Sequence, residues 1–348
     1  MAPIKSNSPF ASYFDFFSKT GKDAVSPAPI PSGLTATGGN STNTYISNGQ
    51  SYKAHIFTSS GAFNVTGLSS GILDGDKVEY VVVAGGGGSG SYGGGGAGGY
   101  RSSVTGESSG GGNSAEPAIT VTAGPTSYPV VVGAGGPGAT PSGTQGGPST
   151  FGSITSLGGG YGSTYNAVGG NGGSGGSAGD HPRGGTAGSA TNYPGPTAQG
   201  FPGGQGYSDQ ATYTWGGGGG GAGATGAGGP TASVPGPNAG NYNGDGGNGI
   251  RTLIAGPNPG SVGTPGPASA GGTGGSPSSA VTGGWLAGGG AGLNPYGQDG
   301  GAGGGGAGNV GGGGGSNGAS GTENTGGGGG SQSASGGKGI VVVRYKTS

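Results

Sequence analysis

Glycine is the feature that most limits what this chain can fold into. It accounts for 105 of the 348 residues, and proline accounts for 24 more. Glycine weakens helices and interior strands through its backbone entropy, and proline does so through its missing N–H group. Isoleucine, leucine, valine and phenylalanine together number only 44, which is too few for an ordinary hydrophobic core. The composition therefore argues against a conventional globular enzyme.

The glycines are concentrated in the C-terminal three quarters of the chain. Only nine precede Ala84, and the other 96 lie in residues 85–348. The net charge is -1 with a pI near 6.0, so charge repulsion does not hold the chain expanded as it does in many disordered proteins. We divide the chain into residues 1–24, a proline-rich spacer at 25–33, a small β module at 34–84 and a glycine-rich domain at 85–348.

The glycine-rich region contains a local period of three. Residues 169–177 place Asn171, Ser174 and Ser177 at every third position, with glycine pairs between them. A polyproline-II helix has three residues per turn and no internal hydrogen bonds, so this repeat leaves bare backbone free to pair with neighbouring segments. We therefore predict a bundle of polyglycine-II helices. The glycine run at 216–221 excludes collagen, and a flexible linker is the remaining alternative.

Two apolar runs flank the glycine-rich region. Residues 78–84 are nearly continuous in β-branched and aromatic residues, which is typical of a strand buried on both faces. Residues 339–345 form a matching run near the end of the chain. We predict that the two strands pair in one sheet and close the glycine-rich domain.

Further short strands are predicted from alternating patterns. In the β module they lie at 44–46, 54–58 and 62–66. Residues 118–122 and 128–132 are predicted to form a hairpin on the sheet of the closing strand. The expected fold class is mainly β with irregular structure: a small β module followed by a polyglycine-II bundle closed by β-strands.

The N-terminal residues predict an amphipathic helix. Phe10, Tyr13, Phe14 and Phe17 recur at helical spacing and place four aromatic rings on one stripe. A helix of about 12 residues is marginal in water, so this stripe needs a surface to pack against. The spacer that follows favours docking to another protein. Packing on the chain's own next domain and adsorption to a membrane surface are the alternatives.

The sequence predicts no enzyme and no cofactor. It has no cysteine and only two histidines, His55 and His181. The match of Gly88, Gly90 and Gly93 to a dinucleotide-binding fingerprint is expected by chance in a region this rich in glycine. Four carboxylates stand singly in glycine-rich turns, where aspartate is a common turn residue: Asp180, Asp209, Asp245 and Asp299.

The sequence also argues against nucleic acid as a partner and against insertion into a membrane. The 11 basic residues form no cluster, so a nucleic-acid footprint is missing. The chain has no apolar stretch of about 18 residues for membrane insertion and no pattern typical of a signal peptide. We therefore expect a protein that is assembled in a cytoplasm.

Several motifs together resemble the glycine-rich domain of tailed-bacteriophage virion proteins. They lie, in this order, at residues 52–63, 78–88, 96–101, 130–136 and 339–345. The resemblance implies a non-enzymatic virion component, such as a tail fibre or adhesin, often at the end that contacts the host. It also implies packed polyglycine-II helices, in agreement with the bundle predicted from the repeat.

The functional expectation is therefore a fibre or adhesin subunit of a virion. Residues 1–24 would dock to other virion proteins, and a homo-oligomer is expected, with a trimer favoured. A host-surface glycan or protein is the second expected partner, because flat rings stack on sugars. The candidate contact residues are Tyr207, Tyr213, Trp215, Trp285 and Tyr296. A head or neck decoration without host contact and a secreted bacterial matrix protein are the alternatives.

Overall fold

The described residues form antiparallel β-sheets and hydrogen-bonded glycine segments. The computed structural model describes residues 31–122, 124–165, 167–179, 198–208, 214–228, 244–257, 262–265, 284–293, 299–308 and 318–348. Within these ranges the fold is mainly β, with a short 3-10 turn at Gly110–Gly112 and no α-helix. The predicted N-terminal helix and most of the proline-rich spacer lie outside them.

The larger sheet is built around the two apolar strands. Its strands, in spatial order, are β2 (Ser41–Ser47), β3 (Gln50–Phe57), β15 (Ile340–Lys346), β5 (Lys77–Val83) and β6 (Tyr100–Ser102), and β7 (Ile119–Thr120) also pairs with β5. The predicted pairing of the two apolar runs is confirmed, because Ile340 lies opposite Val83 and Tyr345 opposite Val78. Residues 78–83 are at most 1% exposed, except for the partly exposed Glu79.

A second sheet covers one face of the first. Its strands, in spatial order, are β1 (Thr35–Thr37), β4 (Gly61–Gly67), β8 (Thr126–Val131), β9 (Ser149–Phe151) and β10 (Ile154–Ser156). Aromatic rings fill the space between the two sheets: Phe63, Phe151 and Tyr80 are at most 1% exposed, and the Phe63 and Phe151 rings lie 6.0 Å apart edge to face. The two sheets therefore form a sandwich with a conventional apolar core.

The predicted hairpin at 118–132 is wrong. Its first strand, β7, pairs with β5 in the larger sheet, whereas its second strand, β8, pairs with β4 and β9 in the other sheet. The physical reason is the side-chain alternation of β8, which packs Tyr128 and Val130 against the aromatic core of the sandwich. The strands predicted at 44–46 and 62–66 are confirmed as parts of β2 and β4, and the strand predicted at 54–58 is confirmed over residues 54–57 of β3.

The other face of the larger sheet packs against the glycine-rich region. Residues such as Val81, Val83 and Val342 contact Ala222 and Leu286 there in a second apolar cluster. Two short sheets belong to this region: β11 (Tyr207–Ser208) pairs with β12 (Thr214–Trp215), and β13 (Ile250–Arg251) pairs with β14 (Trp285–Leu286). The closing strand is therefore buried on both faces, by a second sheet and by apolar side chains of the glycine-rich region.

The glycine segments are joined by backbone hydrogen bonds that repeat every three residues. In residues 85–90, successive N–H groups donate in turn to residues 144–147, 334–337 and 93–96, and every third residue returns to the same neighbour. The bonds are Gly85 to Gly147 (3.0 Å), Gly86 to Gly337 (2.9 Å), Gly87 to Gly96 (2.8 Å), Gly88 to Thr144 (2.9 Å), Ser89 to Ala334 (2.9 Å) and Gly90 to Gly93 (3.2 Å). One segment thus holds three neighbours.

The same period occurs at the repeat singled out in the sequence. The N–H groups of Ser174 and Ser177 donate to Ala97 O and Gly94 O, at 3.1 and 3.0 Å, so these two amides bond to one neighbouring segment. Both serines are fully buried, whereas Asn171 is exposed.

The strand register continues into the glycine segments. Val83 lies opposite Ile340, and Gly86, three residues further on, bonds to Gly337, three residues earlier. Likewise, Val83 lies opposite Tyr100 in β6, and Gly87 bonds to Gly96. The sheet and the glycine segments are therefore one continuous set of paired chains.

Candidate binding cleft

The structure describes three of the five candidate host-contact residues. These are Tyr207, Trp215 and Trp285, whereas Tyr213 and Tyr296 lie outside the described residues. The four aromatic residues predicted to dock the chain to a particle also lie outside them: Phe10, Tyr13, Phe14 and Phe17.

Tyr207 and Trp215 face each other across the β11–β12 pair. Their ring centroids are 5.8 Å apart with an interplanar angle of 34°. Trp215 is 8% exposed and Tyr207 is partly exposed. Most of the Trp215 surface therefore contributes to packing within the protein, and the contact of this pair with a host remains a prediction.

Trp285 pairs with Arg251 on the outer face of the β13–β14 sheet. Neighbouring residues on a strand face opposite sides, so Ile250 and Leu286 enter the apolar cluster while Arg251 and Trp285 lie on the other face. Arg251 is exposed, and its guanidinium makes no hydrogen bond or ion pair within the part of the chain that the structure describes. An aromatic ring and an unpaired cation thus lie side by side.

This pair lines one wall of a cleft of about 490 Å³. The lining also includes Glu107 and Ser108, from the loop that follows β6, and glycines such as Gly223 and Gly249. A larger cleft of about 1290 Å³ adjoins it and shares Glu107, Ser108 and Leu253. The smaller cleft has the size of typical small-molecule sites.

Glu107 stands where the two clefts meet. Its Oε1 accepts a hydrogen bond from the Leu253 amide at 2.7 Å. Its Oε2 is buried and has no hydrogen-bond partner among the described residues, and the same holds for Nε1 of Trp285. Burial raises the pKa of the Glu107 carboxyl above its usual value, against the opposing effects of the Leu253 amide and the nearby Thr252 hydroxyl. Both atoms are closed to solvent, so they lie behind the wall of the cleft rather than open to it.

Arg344 of β15 braces the larger cleft. Its Nε donates to Glu79 Oε2 at 2.6 Å, and its Nη1 donates to the Tyr45 hydroxyl at 2.9 Å. The guanidinium lies 4.6 Å from the ring centroid of Tyr52, a cation–π distance. Arg344 is 8% exposed, so this pair is partly shielded from solvent. The Tyr45 hydroxyl donates onward to Ile254 O at 2.7 Å, which ties the sheet to the loop after β13.

A second ion pair holds the far end of the larger cleft. Arg101 donates to both carboxylate oxygens of Glu116, and the Tyr80 hydroxyl donates to Glu116 Oε2 at 2.9 Å. Glu79 is paired with Arg344 and also accepts a hydrogen bond from the Thr105 amide at 3.0 Å. Glu116 is paired with Arg101, so neither residue offers a free carboxylate.

Sequence reasoning did not identify these charged residues. A signal was present, because Arg344 and Glu79 each interrupt an otherwise apolar strand, and the register places them directly opposite each other. Glu107 and Arg251 carry no such signal, since each lies in a polar or glycine-rich context and only the folded chain brings them together.

The other residues considered for chemistry have structural roles where they are described. His55 is buried, with Nδ1 2.7 Å from Gly38 O and Nε2 3.3 Å from the Tyr345 hydroxyl. Asp245 Oδ1 accepts a hydrogen bond from the Asp299 amide at 3.1 Å. The described residues contain no group of three or more histidine or acidic residues suited to a metal ion. His181, Asp180 and Asp209 lie outside them.

The glycine fingerprint at Gly88, Gly90 and Gly93 forms the turn of a glycine hairpin. Gly90 donates to Gly93 O at 3.2 Å, and the next regular element is the strand β6, not the helix that a dinucleotide site requires. In the described part of the chain, we find no helical segment whose length and hydropathy would suffice to span a bilayer.

Comparison with known proteins gives no relative: no family model, no curated protein and no solved structure matches the chain.

Proposed function

We propose that this chain is a structural subunit of a bacteriophage virion, a fibre or adhesin that presents a rigid glycine-rich domain away from the particle. The observation that carries the proposal is the three-residue period of the backbone hydrogen bonds. A body held together by main chain needs few charges and little apolar surface, which fits the composition of the chain. The resemblance of residues 50–346 to virion appendage proteins supports the same function.

The finer architecture is part of the proposal: the glycine segments are polyglycine-II helices packed as a bundle. Three residues per turn explain why every third N–H returns to the same neighbour. Hydrogen exchange of the full-length protein tests this directly. Amides of residues 85–99 are expected to be protected as strongly as those of β5, because both are buried and bonded. Exchange of these amides at the rate of an unfolded chain would contradict the bundle.

The N-terminal residues 1–24 are proposed to attach the subunit to other virion proteins, with a trimer as the favoured assembly. Phage particles produced with residues 1–24 deleted should lack the subunit, while the free protein keeps its thermal transition. Light scattering of the full-length protein should give three times the mass of one 31.6 kDa chain. Retention of the truncated subunit on particles would refute the docking role.

The position of the subunit on the particle decides between host attachment and decoration. Immunogold labelling of particles is expected to mark the distal end of a tail or fibre. Label confined to the head vertices or the neck would replace host attachment with decoration. Detection of the protein only in the extracellular matrix of bacteria would contradict the virion function altogether.

A further inference from the structure

One edge of the larger sheet is left open. β2 is the terminal strand, and within the described part of the chain it pairs only with β3. Ser47 and Gln50 flank the two-residue turn between these strands, so they exchange hydrogen bonds, and every second residue of β2 bonds to β3 in the same way. Thr42, Thr44 and Ile46 therefore direct their backbone N–H and C=O groups away from the sheet.

The opposite edge of the same sheet is closed by hydrogen bonds. At β6, the Tyr100 N–H donates to Gln199 O at 3.0 Å, and the Ser102 N–H donates to Ser109 Oγ at 3.3 Å. The Ser102 carbonyl accepts a hydrogen bond from the Glu116 amide at 2.7 Å. The described residues thus satisfy one edge of the sheet from within the chain and supply no such partners at β2.

The sequence of β2 carries none of the features that usually protect an open edge. Such features are charged side chains, proline and a β-bulge. The chain has no charged residue from position 24 to position 52, β2 has no proline, and its register with β3 is uninterrupted. The outward residues are instead β-branched, and Ile46 is 70% exposed. An edge of this kind is a template for a further strand.

β2 is held in place without that further strand. On the face towards the glycine-rich region, the Tyr45 hydroxyl donates to Ile254 O and Nδ2 of Asn43 donates to Ala255 O, both at 2.7 Å. The edge is therefore ordered before it pairs, which lowers the entropic cost of adding a strand.

The sequence of β2 is complementary to itself. When two copies pair antiparallel about a two-fold axis at Thr44, this residue lies opposite Thr44 of the second copy, and Thr42 lies opposite Ile46 of the second copy. Each of these pairs joins outward-facing residues, so each exchanges two backbone hydrogen bonds. Cross-strand pairs of β-branched residues stabilise sheets, and no like charges meet because β2 is uncharged. The same lack of charge means that β2 has nothing to select a charged strand of another protein.

We propose that β2 pairs antiparallel with β2 of a second copy of this chain and thereby extends the larger sheet across two subunits. The contact is isologous, so it joins two chains about a two-fold axis. It goes beyond the proposed function, because it requires only a second copy. It acts in addition to the trimer, by joining one trimer to another.

Sedimentation of the full-length protein over a wide concentration series tests the pairing. We expect the mass to double as the concentration rises. Thr44→Lys should weaken this association by about tenfold or more, because it places two like charges directly opposite each other. The matched control is Thr144→Lys, which adds the same charge at an exposed residue of the glycine-rich region and should associate like the parent. Thermal melting of each variant verifies that it is folded.

Cysteine substitutions test the register, because the chain has no cysteine of its own. In the proposed pair, the Cα atoms of the two copies of residue 44 are about 5.5 Å apart, which suits a disulfide. The two copies of residue 42 are displaced along the strands by about 14 Å. Under oxidising conditions, Thr44→Cys should therefore form a covalent dimer, and Thr42→Cys should not.

Three results would overturn the inference: a mass that does not change with concentration, an association that Thr44→Lys leaves unchanged, or cross-linking of Thr42→Cys as efficient as that of Thr44→Cys. Slow hydrogen exchange of the Thr42, Thr44 and Ile46 amides in the unpaired protein would also overturn it, because another segment of the same chain would then occupy the edge. None of these results bears on the virion location, which immunogold labelling tests separately.

Discussion

Replacement of a single buried glycine by alanine should unfold much of the glycine-rich region. At Gly96, an added Cβ would lie 2.5 Å from Ser174 O and 2.6 Å from the Gly175 carbonyl, whereas real Cβ contacts are essentially never under 3.0 Å. Residues 174–177 must therefore retreat by about 0.5 Å or more. That movement breaks or weakens two buried bonds, Ser174 N to Ala97 O and Ser177 N to Gly94 O. At about 1–3 kcal/mol for each unsatisfied pair, Gly96→Ala should cost about 2–6 kcal/mol.

Gly61→Ala is the matched control for this substitution. Gly61 lies at the start of β4, and the nearest atom to its added Cβ is Phe57 Cε1 at 4.0 Å. Alanine there should be neutral or should stabilise by about 0.4–1 kcal/mol, because it restricts the unfolded chain. Urea unfolding followed by tryptophan fluorescence compares the two variants, since Trp215 and Trp285 both lie in the glycine-rich region. Free energies of unfolding of Gly96→Ala and Gly61→Ala that agree within about 0.5 kcal/mol would refute backbone packing as the source of cohesion.

Two further predictions concern the larger sheet. Arg344→Ala should destabilise the fold by about 3 kcal/mol, because it leaves Glu79 without its partner in a largely buried pair. The double variant Arg344→Ala/Glu79→Ala should lose little more stability than Arg344→Ala alone. Losses that are additive in the double-mutant cycle would contradict the coupling of the two residues. Burial lowers the pKa of His55 below its usual 6.5, against the opposing effect of its bond to Gly38 O, so the unfolded chain binds this proton more readily. The contribution of neutral His55 to the free energy of unfolding should therefore be fully present above pH 6.5. It should fall by up to about 1.4 kcal/mol per pH unit as the pH decreases from 6.5 towards the lowered pKa. His55→Asn should reduce the pH dependence of the urea midpoint between pH 5.5 and 7.0. A pH dependence equal to that of the parent protein would contradict this role of His55.

The strands were predictable because their signal is local. Residues 78–84 and 339–345 are runs of β-branched residues, and the observed strands, Lys77–Val83 and Ile340–Lys346, differ from them by one residue at each end. Their pairing followed from the simple expectation that two strands buried on both faces share a sheet. The period of three at 169–177 was equally local: the amides of Ser174 and Ser177 both bond to residues 94–97, whereas Asn171, the third residue of the predicted edge, is exposed.

The partners of the remaining segments were not predictable because they depend on distant residues. The pattern of residues 118–132 indicates strands but does not say which sheet each strand joins. That choice is made by Phe63 and Phe151, which form the core against which β8 packs. The cleft was missed for the same reason, because Glu107, Arg251 and Trp285 come from three separate parts of the chain.

The packing of the glycine segments explains where functional side chains are able to occur. Inside the segments, a carbonyl of a neighbouring chain occupies the space that a Cβ needs, as at Gly96, so the interior has no room for recognition chemistry. The segments 93–99, 244–249 and 287–293 each run directly into or out of a strand, β6, β13 and β14 respectively. Arg251 and Trp285 lie in two of these strands, and Glu107 lies in the loop that follows the third. Because the strand register continues into the segments, the hydrogen-bonded glycine segments fix where these strands meet. Larger side chains should therefore be tolerated at the segment ends, while the segments themselves should accept only glycine and a few small residues.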